Sequence, residues 1–184
     1  YVRIGVIGDV DSNSGLTKQL NLLVKYGVQY FLLPGDFAYN SAKTVLDNLV
    51  SHGFNKLNTE IAVGNHDNCS TVKAWMGTSV CYGDRTLDTS GKVMVETIDA
   101  NSQFDCSGAQ FKQVKSDLES SDAWYNLVNI HQPFATVKSD HGPNGNFNCY
   151  HQVFTANGVN AVLQAHNHLY MRENVNGILY GIYG

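Results

Sequence analysis

Charge is scarce in this chain: 12 Lys and Arg and 16 Asp and Glu make up only 15% of 184 residues and leave a net charge of -4. With a pI near 5.9, it lacks the clustered basic residues that broad binding to nucleic acid or to an anionic membrane requires. Long apolar runs are missing as well, and none approaches the ~20 residues of a membrane span. No signal peptide is visible. The chain opens directly on a strand-like run at Tyr1-Val2-Arg3-Ile4 and closes inside another at Leu179-Tyr180-Gly181-Ile182-Tyr183-Gly184. Both ends are therefore expected to be cuts in a longer protein with possible flanking domains, and the missing targeting signal decides nothing about that parent. No Cys-x-x-Cys pair occurs among Cys69, Cys81, Cys106 and Cys149, which argues against a zinc ribbon. An even cysteine count in a chain rich in Asn, Ser and Gly and poor in Lys suggests two disulfides and a secreted or cell-surface location. Three pairings are open; Cys69–Cys81 with Cys106–Cys149 closes the shorter loops and is the expected one, four reduced thiols being the alternative. The sequon Asn68-Cys69-Ser70 is compatible with export but has low specificity.

What remains is the composition of an ordinary folded domain, 43% apolar and long enough for a real core. One domain over residues 1–184 is expected, without repeat or low-complexity linker. The first half alternates strand and helix. Residues 2–8 form an apolar run; Leu16, Leu20, Leu23 and Val24 then share a helical face that ends near Gly27. Residues 30–33 read as a buried strand. Ala42, Val45, Leu46, Leu49 and Val50 give a second helical stripe, with Ser41 as cap and Gly53 as stop, before a third strand at 61–63. From 69 to 105 only residues 93–98 predict a strand. A helix follows on Phe111, Val114 and Leu118, starting near Ser107 or Gly108. Beyond it come a strand at 124–130, a polar loop at 134–148, a short helix at 149–157 and strands at 161–163, 170–173 and 178–182. Asn176-Gly177 is the hairpin turn of the last pair. This order predicts an α/β domain with parallel strands early and an antiparallel portion late.

Five short polar blocks close five of the apolar runs: Gly8-Asp9, Gly35-Asp36-Phe37-Ala38-Tyr39, Gly64-Asn65-His66-Asp67, His131-Gln132-Pro133 and Ala165-His166-Asn167-His168. In open α/β sheets ligands gather beyond the carboxyl ends of strands, where every block falls. Together they offer three oxygen ligands that are carboxylate or phenol (Asp9, Asp36 and Tyr39), an amide oxygen and four imidazoles, the inventory for two metal ions that share a carboxylate. Singly each has a bland reading. An Asp after a strand often caps the next helix, Asn65-His66 could be turn residues, and a lone His is more often hydrogen-bonded than ligating. An ordered set of five is hard to obtain from turn chemistry.

The set resembles the calcineurin-like metallophosphoesterases, and within them the purple acid phosphatase branch. That family pattern runs Gly-Asp, Gly-Asp-x-x-Tyr, Gly-Asn-His-(Asp/Glu), a strand-end His and Gly-His-x-His, and the resemblance spans residues 4–172. It implies a four-layer α/β/β/α sandwich with mixed sheets. Carried over position by position, one metal takes Asp9, Tyr39 and His168 with Asp36 bridging. The second takes Asp36, Asn65, His131 and His166, while His66 supplies a proton to the leaving oxygen. The implied activity is hydrolysis of phosphate monoesters of a small substrate by hydroxide held between the metals. A phenolate ligand suits Fe(III), so iron is expected at the Tyr39 site and Fe, Zn, Mn or Mg at the other. Diester or nucleotide cleavage on the same centre is the nearest alternative; a non-catalytic module that keeps only the fold is the other.

The sequence departs from the pattern in places. Many members continue the first block as Asp-x-His, whereas this chain has Asp11, which suits a helix cap, a group behind the ligands or a substitute ligand, the cap being preferred. Ala165 replaces the usual Gly, at little cost unless its φ must be positive. His141, ten residues after His131, lies at a spacing where the purple acid phosphatases place a phosphate-contacting histidine, and is a candidate catalytic residue. His52 and His151 read as structural, and the glycines of 142–145 as turns rather than a P-loop. Asp9-Val10-Asp11-Ser12-Asn13 imitates half a calcium loop but lacks its glycine and its final Glu, with Ser14 and Leu20 in those places.

Overall fold

The computed structural model describes the 184-residue chain except residues 89, 103, 138–141, 143 and 144. Two parallel crossovers build the first sheet: β1 (Ile4–Val6), α1 (Ser14–Lys25), β2 (Tyr30–Leu33), α2 (Ala42–Ser51) and β3 (Thr59–Ile61), in spatial order β1-β2-β3. Phe31 and Leu33 of β2 project onto α1 and α2 and pack with Leu16, Leu20, Val45 and Leu49. Leu32, pointing the opposite way as the two-residue period requires, joins the layer between the sheets. The carboxylates that end β1 and β2 do not cap the following helices. Asn13 accepts from the N–H groups of Gly15 and Leu16 at the start of α1, and Ser41 accepts from Thr44 N–H in α2. The expected cap role of Asp11 is thus filled by Asn13, which lies one residue before the first helical turn, where a cap must be.

The middle of the chain holds more structure than its composition suggests. An eight-residue α3 (Cys69–Met76) starts on Asn68 and ends on Gly77 in the left-handed conformation. It is followed by β4 (Gly83–Thr86) and β5 (Val93–Ile98). Then come α4 (Ala109–Ser120), β6 (Tyr125–Ile130), α5 (Phe147–Ala156), β7 (Val159–Gln164), β8 (Tyr170–Val175) and β9 (Ile178–Tyr183). The second sheet runs β4-β5-β6-β7-β9-β8, parallel from β5 through β9 and antiparallel at both rims. Antiparallel pairing is therefore not confined to the end of the chain. Asn176 and Gly177 both have positive φ in the β8–β9 turn, as an Asn-Gly hairpin requires.

Val93, Val95, Ala161 and Leu163 face Leu32 across the inter-sheet layer. On the far side Val114, Leu118, Tyr150 and Phe154 of α4 and α5 cover Met94, Ile98, Val128 and Val162. The layers are helix, sheet, sheet, helix. Disulfides join Cys69 to Cys81 and Cys106 to Cys149, the expected pairs. The first staples α3 to the segment before β4, and the second ties the start of α4 to α5. Among the described residues no helix is long and apolar enough to cross a membrane.

Candidate metal centre

Loops leaving β1, β2, β3, β6 and β7 meet at one end of the sandwich, and the seven expected ligands come together there. On one side the Tyr39 hydroxyl lies 3.2 Å from Asp9 Oδ1, 3.0 Å from Asp36 Oδ2 and 3.0 Å from His168 Nε2. His168 Nε2 is itself 3.6 Å from Asp9 Oδ1. On the other side His131 Nε2 lies 3.1 Å from Asn65 Oδ1, 3.1 Å from His166 Nδ1 and 3.3 Å from Asp36 Oδ2. One oxygen, Asp36 Oδ2, belongs to both groups. Donors that share an ion about 2.1 Å away lie about 3.0–3.4 Å apart in octahedral or tetrahedral shells, so these spacings suit ligand sets. Asp36, His131 and His166 each present a donor atom within 4.8 Å of the other two.

Local chemistry explains how each donor is held. His131 is fully buried, and its Nδ1 donates to the Pro34 carbonyl over 2.9 Å. That bond occupies Nδ1 and leaves Nε2 as the nitrogen facing the other donors, where a cation would take its lone pair in place of a proton. Asp9, Asp36 and His166 have φ of 50°, 55° and 70°. Asp adopts the left-handed region more readily than most residues, yet such backbone persists only where its surroundings hold it. They do so here. His166 N–H donates to Asp9 Oδ2 over 2.8 Å, and His66 N–H donates to Asp36 Oδ1 over 2.8 Å. The backbone N–H groups of Asp9 and Val10 donate to the carbonyls of Gly35 and Asp36. Ala165 has no positive φ and packs against Gly8, so its replacement of the usual glycine costs the turn nothing.

Electrostatics follow from this crowding. Burial pushes the Asp9 carboxyl up, and the positive potential of His131 and His168 only partly offsets it. Burial acts the same way on Asp36, but the His131 hydrogen bond and charge, with the His66 N–H, hold that carboxyl below the ordinary range. Tyr39 is driven far above an ordinary phenol by burial and by the carboxylates of Asp9 and Asp36. A cation seated among these groups would have to displace the Tyr39 proton, which couples binding to pH.

His66 stands at the rim. Its half-exposed ring is 4.6 Å from the Tyr39 ring, and its Nε2 is 4.0 Å from Asp36 Oδ2. His141, the other candidate catalytic residue, lies outside the described residues. His52 and His151 are structural as expected: one bonds the Asn48 carbonyl, the other the Tyr180 hydroxyl and the Asn176 amide.

Sequence reasoning passed over three supports. Asp67 accepts from four backbone N–H groups, those of Asp36, Phe37, Ala38 and Gly64, and so clamps the β2 loop to the β3 loop. Asn101, beyond β5, donates to the carbonyls of Val63 and Gly64 and accepts from Gln132, tying the Asn65 loop to the His131 loop. Asn40 donates to both oxygens of Asp11, which thus stands as a group behind the Tyr39 side rather than as the helix cap. Only Asp67 had a visible signal, its place in the third block.

Similar architectures occur in solved structures. A dimetal phosphatase from Danio rerio superposes with a TM-score of 0.76 at 12% identity, covering 98% of this chain and 86% of its own. GAP50, the anchor in the inner membrane complex of Plasmodium, gives 0.75 at 16% identity, covering 100% of this chain and 71% of its own. No curated protein matches by sequence. The model of the calcineurin-like phosphoesterases, however, matches residues 2–170, and the chain belongs to that family.

Proposed function

We propose that this domain is a phosphoric ester hydrolase that cuts phosphate monoesters at a two-cation centre. The observation that carries the reading is the position of Asp36 Oδ2, 3.0 Å from the Tyr39 hydroxyl and 3.3 Å from His131 Nε2, where one carboxylate serves two donor groups. Asp9, Tyr39 and His168 complete the first group; Asn65, His131 and His166 complete the second. The donor set is hard and oxygen-rich on the Tyr39 side, which suits Fe(III), and mixed imidazole and amide on the other, which suits Fe, Zn, Mn or Mg. Two cations held by these groups would supply Lewis acidity toward a phosphoryl group and lower the pKa of a coordinated water. The protein's part is orientation and proton delivery: Asp36 keeps the groups in register, and His66 Nε2 hands a proton to the departing alcohol. The likeness to a dimetal phosphatase supports this, and because an anchor protein shares the fold as well, the reading rests on the donor set rather than on the fold. Two disulfides suit an exported domain, here one catalytic unit over residues 1–184.

The test is metal content together with hydrolysis of an aryl phosphate by wild type and His66→Ala. The variant is expected to keep its metals and lose about 10²–10⁴-fold in turnover, with the deficit largest for poor leaving groups. Equal turnover by the two proteins defeats the proton-donor role. Wild type that binds two equivalents of metal but cleaves only diesters defeats the monoester assignment.

A further inference from the structure

The β1 and β2 loops are zipped together by backbone hydrogen bonds as far as Val10 and Asp36. Asp67 fixes the β2 loop from Asp36 to Ala38, and Ser41 begins α2. Tyr39 lies between those two anchors. Its hydroxyl sits at the end of a long rigid ring, so a small swing of the backbone at 39–40 carries the oxygen out of reach of Asp9 or Asp36. Across this gap the Asn40 side-chain amide donates to Asp11, with Nδ2 2.8 Å from Oδ1 and 2.8 Å from Oδ2. Asp11 is held in turn by Ser12 N–H, 2.6 Å from Oδ1. Both oxygens of this carboxylate are therefore committed to the neighbouring loop rather than offered as ligand atoms.

We infer that Asp11 and Asn40 form a positioning pair that sets the Tyr39 hydroxyl between Asp9 and Asp36. The pair spans the two loops at the residues beside the ligands, two positions after Asp9 and one after Tyr39. It thus extends the backbone zipper beyond the point where main-chain bonds end. The inference rests on the metal-binding reading above, and zinc alone is the probe.

Zinc is titrated by calorimetry into metal-free wild type, Asp11→Ala, Asn40→Ala, the double variant and Asp11→Asn, with tyrosinate formation followed by ultraviolet difference spectra against Tyr39→Phe. Wild type is expected to take two equivalents and to show the tyrosinate signal. Each alanine variant should weaken one of the two steps about 10–100-fold and lose most of that signal, the range seen when partners of metal ligands are removed. The double variant should be no worse than the poorer single one, because each single change already breaks the same bond. Asp11→Asn keeps an oxygen facing Asn40 and should stay close to wild type. A large loss in Asp11→Asn would make Asp11 a ligand or a required charge and overturn the pair. Unchanged zinc binding in both alanine variants, or additive losses in the double variant, would overturn it too. A merely structural role would lower the melting temperature of the metal-free variants and leave both zinc steps and the tyrosinate signal intact. Wild type that takes up no zinc would defeat the metal reading, and this inference with it.

Discussion

Glu96 sits in the centre of β5, fully buried, and among the described residues neither of its carboxylate oxygens has a hydrogen-bond partner. Burial, with lesser contributions from Asp117 of α4 and Asp84 of β4, pushes its pKa up to about 9. The Tyr150 phenol of α5 is raised by burial and by the charges of Asp105 and Glu96, which brings the third neighbouring element into the same buried group. In the unfolded chain Glu96 titrates near 4.5. The folded state therefore keeps a proton that the unfolded state gives up, from about pH 4.5 to about pH 9. Stability falls as pH rises through that window, the reverse of a salt-bridged carboxylate, by about 1.4 kcal/mol per unit. Between pH 5 and pH 7 the integrated loss is about 2–3 kcal/mol. That window closes well short of the folded pKa, so the loss depends only on the proton being retained. Glu96→Gln preserves shape and removes the titration. Urea unfolding of metal-free wild type and variant, disulfides intact, should show their stability difference shifting by about 2–3 kcal/mol in favour of the variant from pH 5 to pH 7. Contributions of other groups cancel in the difference. Parallel pH profiles would mean that Glu96 is ionised in the fold, and the reasoning from its missing partners would fail.

Asp67→Ala leaves four backbone donors of the β2 and β3 loops without their acceptor. It should cost about 3 kcal/mol in urea unfolding, with Asp67→Asn falling between it and wild type; equal stabilities would show that water replaces the clamp. Replacing both cysteines of a disulfide by serine should cost more for Cys106–Cys149, separated by 43 residues, than for Cys69–Cys81, separated by 12. Loop-closure entropy puts the two at about 4 and about 3 kcal/mol, and the reverse order of melting temperatures would count against that account.

How much of this could be read from the chain depends on how far apart the interacting residues lie. Strands and helices with their own apolar period, such as β2, α2 and β6, were legible because each buries a face that its residues announce. The element α3 was not, since only Val72 among its eight residues is buried. Nor was β4, an edge strand whose Asp84 and Arg85 break any apolar pattern. Arg85 is placed by a partner 25 positions away, the buried Glu60 of β3, and no local window contains that pairing. The third strand was expected at 61–63 and forms at Thr59–Ile61, because the apolar run marks burial and the ladder is set by where β2 ends.

At the candidate metal centre the same distinction separates the proposed ligands from their supports. The candidate ligands stood out because each polar block follows a strand, and that position is a local property of the sequence. The contacts by which Asp67, Asn101 and Asn40 cross between loops span 29 to 38 residues and exist only once the loops have met. The backbone conformation of the ligands was equally hidden. A left-handed φ is normally announced by glycine, and the chain does place Gly35 there, at 89°, in a position where any Cβ would strike His131 and Gly64. Asp9, Asp36 and His166 hold the same conformation while keeping a side chain, so no glycine announces it. Gly64 completes the logic: its φ is not left-handed, yet a Cβ would overlap the Asp36 carboxylate, so a side chain there is excluded by the carboxylate it sits against. The centre is thus built by giving each loop position either a donor or no side chain at all, with the conformational cost of the donors met by hydrogen bonds from the neighbouring loops.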